Sequence, residues 1–187
     1  MKEKEILQPT DNQVQPVLLT GLFENNVDAE NAYQYLLKLG YKTEEISLIM
    51  SEDTRSKYFP DTVQSQELAT DAIRETENGA AIGASIGLTL GTILGVAMAV
   101  TSNLVIPGMG FLIAGPLIAG LAGAGTGVVS GGIIGALLGV GFGADRAELY
   151  QNSINQGQIF LGVHPLEKDI IGIKESWRLI GGKEIWM

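Results

Sequence analysis

The chain has 187 residues, with 21 acidic side chains against 12 basic ones, a single histidine and no cysteine. A net charge of −9 without any Lys/Arg run excludes a phosphate-neutralising nucleic-acid surface and a polybasic lipid-headgroup patch. The missing thiols exclude disulfides, thiolate metal sites and cysteine nucleophiles.

Residues 1–15 read as a polar tail without the apolar core of a secretory signal, so the N-terminus is expected in the cytoplasm. "PVLLTGLF" (16–23) is apolar and opened by a proline, which predicts a strand. From Asp28 the period becomes helical, with Ala29, Ala32, Leu36 and Leu39 on one face. Asn25 or Asn26 can cap that helix and Gly40 closes it. "EISLIM" (45–50) reads as a second strand, which places the first half of a domain within 16–60.

The next 97 positions, 61–157, read as an insertion. Its centre, residues 78–144, contains no Asp, Glu, Lys or Arg. Asp61 and Gln64 are spaced like a capping box at the head of a polar helix. Two long helices are expected, over roughly 62–102 and 116–155, each with a wet half and an apolar half. The apolar parts, 79–102 and 116–139, hold 24 residues each, about 36 Å as helix against about 30 Å of bilayer hydrocarbon. Pro107, Gly108, Gly110 and Pro116 break the chain between them and predict the hairpin turn. The tip, "NLVIPGMGFLIAGP" (103–116), is too apolar for a comfortable aqueous loop and reads as re-entrant, interfacial, or the end of a hairpin that enters lipid without crossing.

Glycine recurs every fourth residue in both arms. The first stripe is Gly79, Gly83, Gly87, Gly91 and Gly95; the second is Gly115, Ala119, Gly123, Gly127, Gly131, Gly135, Gly139 and Gly143. An interior glycine costs a helix about 1 kcal/mol relative to alanine. Close backbone approach between helices offsets that cost, because lipid tails are as apolar as leucine and give helices no hydrophobic reason to pair. These residues are therefore the candidate helix-packing sites.

After the insertion the earlier grammar returns. In "DRAELYQNSIN" the residues Ala147, Tyr150 and Ile154 share a face, and the helix ends near Gly157. "QIFLGVH" (158–164) is a strand, and Pro165 opens a helix with Leu166, Ile170, Ile173, Trp177 and Ile180 at helical spacing. Gly181 and Gly182 stop it before a last strand, "KEIWM" (183–187), which completes the second half of the domain over 158–187. The order β-α-β, insertion, β-α-β predicts an α+β, ferredoxin-like split βαβ sandwich, with helices on one face of four antiparallel strands. The glycine-zipper hairpin would interrupt it between the second and third strands.

Chemistry is sparse. "GVGFGA" (139–144) matches a weak dinucleotide fingerprint, but it follows a helical run and shares glycines with the stripe. One histidine, His164, makes no zinc site without cysteines. Glu52, Asp53 and Asp61 form no defensible carboxylate pair. Ser85, Thr89 and Thr92 lie along one side of the first arm, as hydroxyls bonded to backbone or as a polar path through an oligomer. Trp177 reads as core, and Trp186 as core or membrane-interface aromatic.

The unit "VLLTGLFENNVDAENAYQYLLKLGYKTEEISLIM", the Gly-rich hairpin and "RAELYQNSINQGQIFLGVHP" together resemble bacterial general-stress proteins with a heat-induced-stress domain and a glycine-zipper insertion. The architecture is also similar to the membrane subunit of alternative complex III that splits a ferredoxin-like domain around two spans. The resemblance implies stress-linked expression and no agreed enzymatic activity, and it supplies no catalytic residues.

The expectation is a non-enzymatic protein of the cytoplasmic membrane, both termini cytoplasmic, that associates with lipid and forms homo-oligomers through its glycine stripes. A cytoplasmic assembly that buries the hairpins, with or without lipid inside, is the alternative. A ferredoxin-like sensor or docking module anchored to the membrane, and a channel, are further classes.

Overall fold

The computed structural model describes residues 17–59, 94, 103–106, 110–118, 133–135 and 137–187. Its strands are β1 (Leu19–Phe23), β2 (Ile46–Ser51), β3 (Asn103–Ile106), β4 (Phe111–Ala114), β5 (Ile159–Val163) and β6 (Lys183–Trp186). Its helices are α1 (Asn26–Lys38), α2 (Glu52–Tyr58), α3 (Ala144–Asn155) and α4 (Ile170–Leu179). All six strands form one antiparallel sheet in the order β3-β4-β2-β5-β1-β6.

Local signals explain the elements. Asn25 caps α1, its side-chain oxygen accepting the Asp28 N–H at 2.9 Å. Gly40, at φ 95°, ends it, and the Tyr41 N–H returns to the Leu36 carbonyl at 3.2 Å. Ala29, Ala32, Tyr33 and Leu36 form the buried face; Leu39 lies past the last helical turn and is exposed, against expectation. A 3-10 turn, Glu167–Asp169, separates Pro165 from α4 and leaves Leu166 exposed. Ile173 and Trp177 are buried as the spacing predicts.

The sheet is covered on both faces, where the sequence predicts helices on one. Leu19, Phe23, Leu48, Leu161 and Val163 point with α1 and α4 into one core cluster. Leu22, Ile49, Ile113 and Phe160 point into a second, closed by Ala147, Tyr150 and Ile154 of α3 and by Ile133 and Leu137. An edge-to-face aromatic run crosses that second layer, Phe160 to Tyr150 at 5.1 Å and Tyr150 to Phe142 at 5.5 Å. The reason lies in the strands themselves: they carry large apolar residues at both parities, and such strands need cover on both faces.

Two further expectations are corrected. The segment 103–116 is not a tip joining two helices. It forms the β3–β4 hairpin, with Ile106 opposite Phe111, and β4 pairs with β2 from Leu48↔Ala114 to Ser51↔Phe111. Strand β4 is paired on both sides, by β3 and β2, and Leu112, Ile113 and Ala114 are buried. The hairpin is also tied to α2, which the sequence reading did not foresee: the Glu52 N–H donates to the Gly110 carbonyl at 2.7 Å.

The predicted helix over 116–155 is interrupted. Residues 137–139 are helical, then Gly141 takes φ 95°. The Phe142 N–H bonds to the Leu137 carbonyl and the Gly141 N–H to the Leu138 carbonyl, both at 3.0 Å, a Schellman stop. Gly143 then caps α3 in extended conformation.

Candidate functional site

The uncharged sequence has few polar side chains, so its backbone is the main supply of hydrogen-bond donors it can offer the rest of the protein. Three contacts use those donors. The Leu94 N–H donates to Glu30 Oε2 on α1 at 3.0 Å. The Leu117 N–H donates to Ser47 Oγ on β2 at 3.2 Å. The Ile134 N–H donates to Gln151 Oε1 on α3 at 3.3 Å. Each grip lies beside apolar packing: Leu94 is in the α1/α4 cluster, while Leu117 and Ile133 are in the α3 cluster.

Glu30 is the unusual member. It is only 1% exposed within an otherwise apolar layer, and it also accepts from Gln34 Nε2 at 3.3 Å. A buried carboxylate is tolerated when it is hydrogen-bonded, and charge-assisted bonds are the stronger ones. Burial pushes the neighbouring Tyr33 phenol up to about 12. Glu30→Ala is expected to strand the buried Leu94 amide, costing about 1–3 kcal/mol. Hydrogen exchange would show lost protection at Leu94, whereas Glu30→Gln, which keeps an acceptor, retains most of it.

The remaining buried hydroxyls act as stitches. Thr20 Oγ1 and the Tyr150 hydroxyl share a 2.6 Å hydrogen bond between β1 and α3. Thr54 Oγ1 bonds to Ser51 Oγ at 2.8 Å and donates to the Gly157 carbonyl at 3.3 Å. On the other face the Tyr41 hydroxyl donates to Asp169 Oδ2 and accepts the Leu166 N–H, both at 2.9 Å. Burial raises the Tyr41 phenol above its ordinary value.

The predicted packing residues are only partly placed. Gly79, Gly83, Gly87, Gly91, Gly95, Ala119, Gly123, Gly127 and Gly131 lie outside the described residues, as do Ser85, Thr89, Thr92, Asp61, Gln64, Pro107 and Gly108. Gly135 is helical and half-buried, and Gly139 is helical and exposed. Gly115 and Gly143 are not on a helix face. Gly115 follows β4 at φ 86°, where an added Cβ would lie 2.2 Å from the Ile46 carbonyl oxygen; Gly143 is the cap of α3. Gly110, at φ 68°, turns between two strands, and Pro116 directly precedes the helical residues 117–118.

Glu52, Asp53 and His164 are exposed, and among the described residues no cluster of His, Asp or Glu could hold a metal. Trp177 is fully buried, edge-on to Phe23 at 5.6 Å. Trp186 packs on Phe142 at 5.9 Å and under the Arg146 guanidinium at 5.0 Å.

Sequence reasoning did not single out Glu30, Ser47 or Gln151. The only signal was a polar residue inside a buried pattern, Glu30 between Ala29 and Ala32 and Ser47 within "ISLIMS". No protein family, curated protein or solved structure matches the chain. Among the described residues no helix is long and apolar enough to cross a membrane.

Proposed function

We propose that the protein is a non-enzymatic, lipid-associated structural protein that self-assembles through its uncharged glycine-rich sequence. In this reading β1, β2, β5 and β6 with α1 and α4 are a ferredoxin-like split βαβ unit. Their order, β2-β5-β1-β6 with every neighbour antiparallel, supports that assignment. Stress-linked expression, implied by the family resemblance, belongs to the same proposal.

The observation that carries it is the threefold grip on the amides of Leu94, Leu117 and Ile134. A charge-free chain is gathered onto a sheet domain whose own side chains supply the acceptors. The same contacts favour association from one side of a bilayer over a two-helix span. Residues 78–93 number 16 and residues 119–132 number 14, about 24 and 21 Å even if wholly helical. Crossing and returning needs about 20 residues each way. Both termini would lie on the cytoplasmic side.

A second reading, a cytoplasmic assembly that buries the uncharged sequence between copies, is favoured by the full burial of Leu94 within the domain. Vesicle flotation combined with light scattering separates the two. The lipid reading predicts that the protein floats with zwitterionic vesicles; a large particle that stays lipid-free at the bottom contradicts it. In either environment Gly87→Leu and Gly135→Leu should dissolve the oligomer while circular dichroism of the sheet persists. Oligomers of wild-type size in both variants would refute assembly through the stripes.

A further inference from the structure

Large apolar side chains are exposed at several places, Leu166, Ile171 and Leu179 at α4 among them, and one such group stands where the uncharged sequence runs into α3. Leu138, in the last helical turn before the Gly141 stop, is 44% exposed. Phe142, just past the stop, packs on Trp186, which is 41% exposed, and the terminal Met187 is 38% exposed. The Arg146 guanidinium carbon stands over Trp186, 5.0 Å from the ring centroid, with Glu184 Oε2 3.6 Å from its Nη1.

Strand β6 is irregular at this group. Its register against β1 shifts between Thr20 and Leu22, and Glu184 takes φ 48°, unusual for a residue other than glycine. The irregularity coincides with the two residues that meet Arg146, Glu184 and Trp186, and bulges are found where a side chain must be re-aimed. Local strain of this kind is kept where the surroundings over-determine it.

Resting on the lipid reading above, we infer that Leu138, Trp186 and Met187, with Arg146 over the Trp186 ring, form an interfacial collar that seats the domain on a bilayer surface. Tryptophan suits that depth because one end of its ring system is apolar and the other carries an N–H. Arg146 keeps its Nη1 buried and pairs with Glu184, so the charge of the group is compensated within the domain while the arginine stem packs on apolar surface. Continuity sets the partner: residues 78–144 carry no charge, and the collar stands where that sequence ends. The net charge of −9 makes a zwitterionic surface the better match than an anionic one.

The chain has two tryptophans, and Trp177 is fully buried, so Trp186 can be read alone. In Trp177→Phe protein mixed with phosphatidylcholine vesicles, Trp186 emission should shift to the blue. Lipids brominated near the headgroup should quench it more than lipids brominated deep in the chain. Should Trp177→Phe fold poorly, the wild-type spectrum minus that of Trp186→Phe gives the same signal. Trp186→Ala should lower the vesicle-bound fraction severalfold with the fold intact. Protein that floats while Trp186 emission stays unchanged, or is quenched most by deep bromines, overturns the collar and leaves the lipid reading standing. Protein that does not float overturns both.

Discussion

Trp177→Ala is expected to destabilise the domain by about 3–5 kcal/mol, the range for emptying a large aromatic site in a core. The total stability of a domain this size is about 5–15 kcal/mol, so the variant should melt far below wild type or fail to accumulate. Three features concentrate the loss at this residue. The indole is fully buried and edge-on to Phe23, and its Nε1 donates to the Ala32 carbonyl at 3.4 Å. The sheet is shaped to receive it at Gly21, where an added Cβ would stand 2.8 Å from the indole Cε3. Gly182 is constrained differently, by main chain that Trp177→Ala would leave in place: its added Cβ falls 2.7 Å from the Trp177 carbonyl oxygen. A consequence is coupling: Gly21→Ala should harm the wild type and be nearly neutral when Trp177 is alanine, because the opposing atoms are gone. A thermal-denaturation double-mutant cycle measures this, and additive effects would contradict the packing described.

Two glycines of one apparent stripe should respond in opposite directions to alanine. Gly115→Ala meets the Ile46 carbonyl oxygen at 2.2 Å and adds left-handed strain of about 1–2 kcal/mol. Backbone cannot step aside there without opening the β4–β2 ladder, so exchange protection should fall across 111–114 and along β2. Gly139→Ala falls on an exposed helical residue and should stabilise by up to about 1 kcal/mol. If both residues were contacts on one helix-packing face, both substitutions would harm to a similar degree. Urea titration of the pair, followed by exchange mass spectrometry of the weaker variant, distinguishes the cases.

Much of the sheet domain is legible in the sequence because its elements carry their own periods and stops. Asn25 and Gly40 bracket α1, Gly157 ends α3, and Ala147, Tyr150 and Ile154 fall on one buried face as their spacing requires. The cover on both faces was also written there, in Leu22, Ile49 and Phe160 at the second parity, but alternation is easily passed over in short apolar strands.

The β3–β4 hairpin was obscured by its surroundings. "NLVI" and "FLIA" around "PGMG" satisfy the ordinary signals for strand, turn and strand, yet within 67 uncharged residues they resemble a tip in lipid. Spacing misled at Gly115 and Gly143 for a different reason. A four-residue interval says nothing of φ, and φ is what Gly115 is there to supply. The grips of Glu30, Ser47 and Gln151 were not legible, because each joins residues between 17 and 70 positions apart and depends on the tertiary fold.

Residues 103–106 and 111–114 belong to the sheet, so the uncharged sequence is held by the domain it interrupts. The absence of native cysteine makes a direct measurement possible. Ile49 and Ile113 stand opposite each other in β2 and β4, and Leu22 and Phe160 stand opposite each other in β1 and β5. In full-length protein bound to vesicles, mild oxidation of Ile49→Cys/Ile113→Cys should give a 49–113 disulfide by peptide mapping, at a yield like that of the Leu22→Cys/Phe160→Cys control. A control that closes while the 49–113 pair stays reduced would place residues 103–114 away from the sheet and contradict the account.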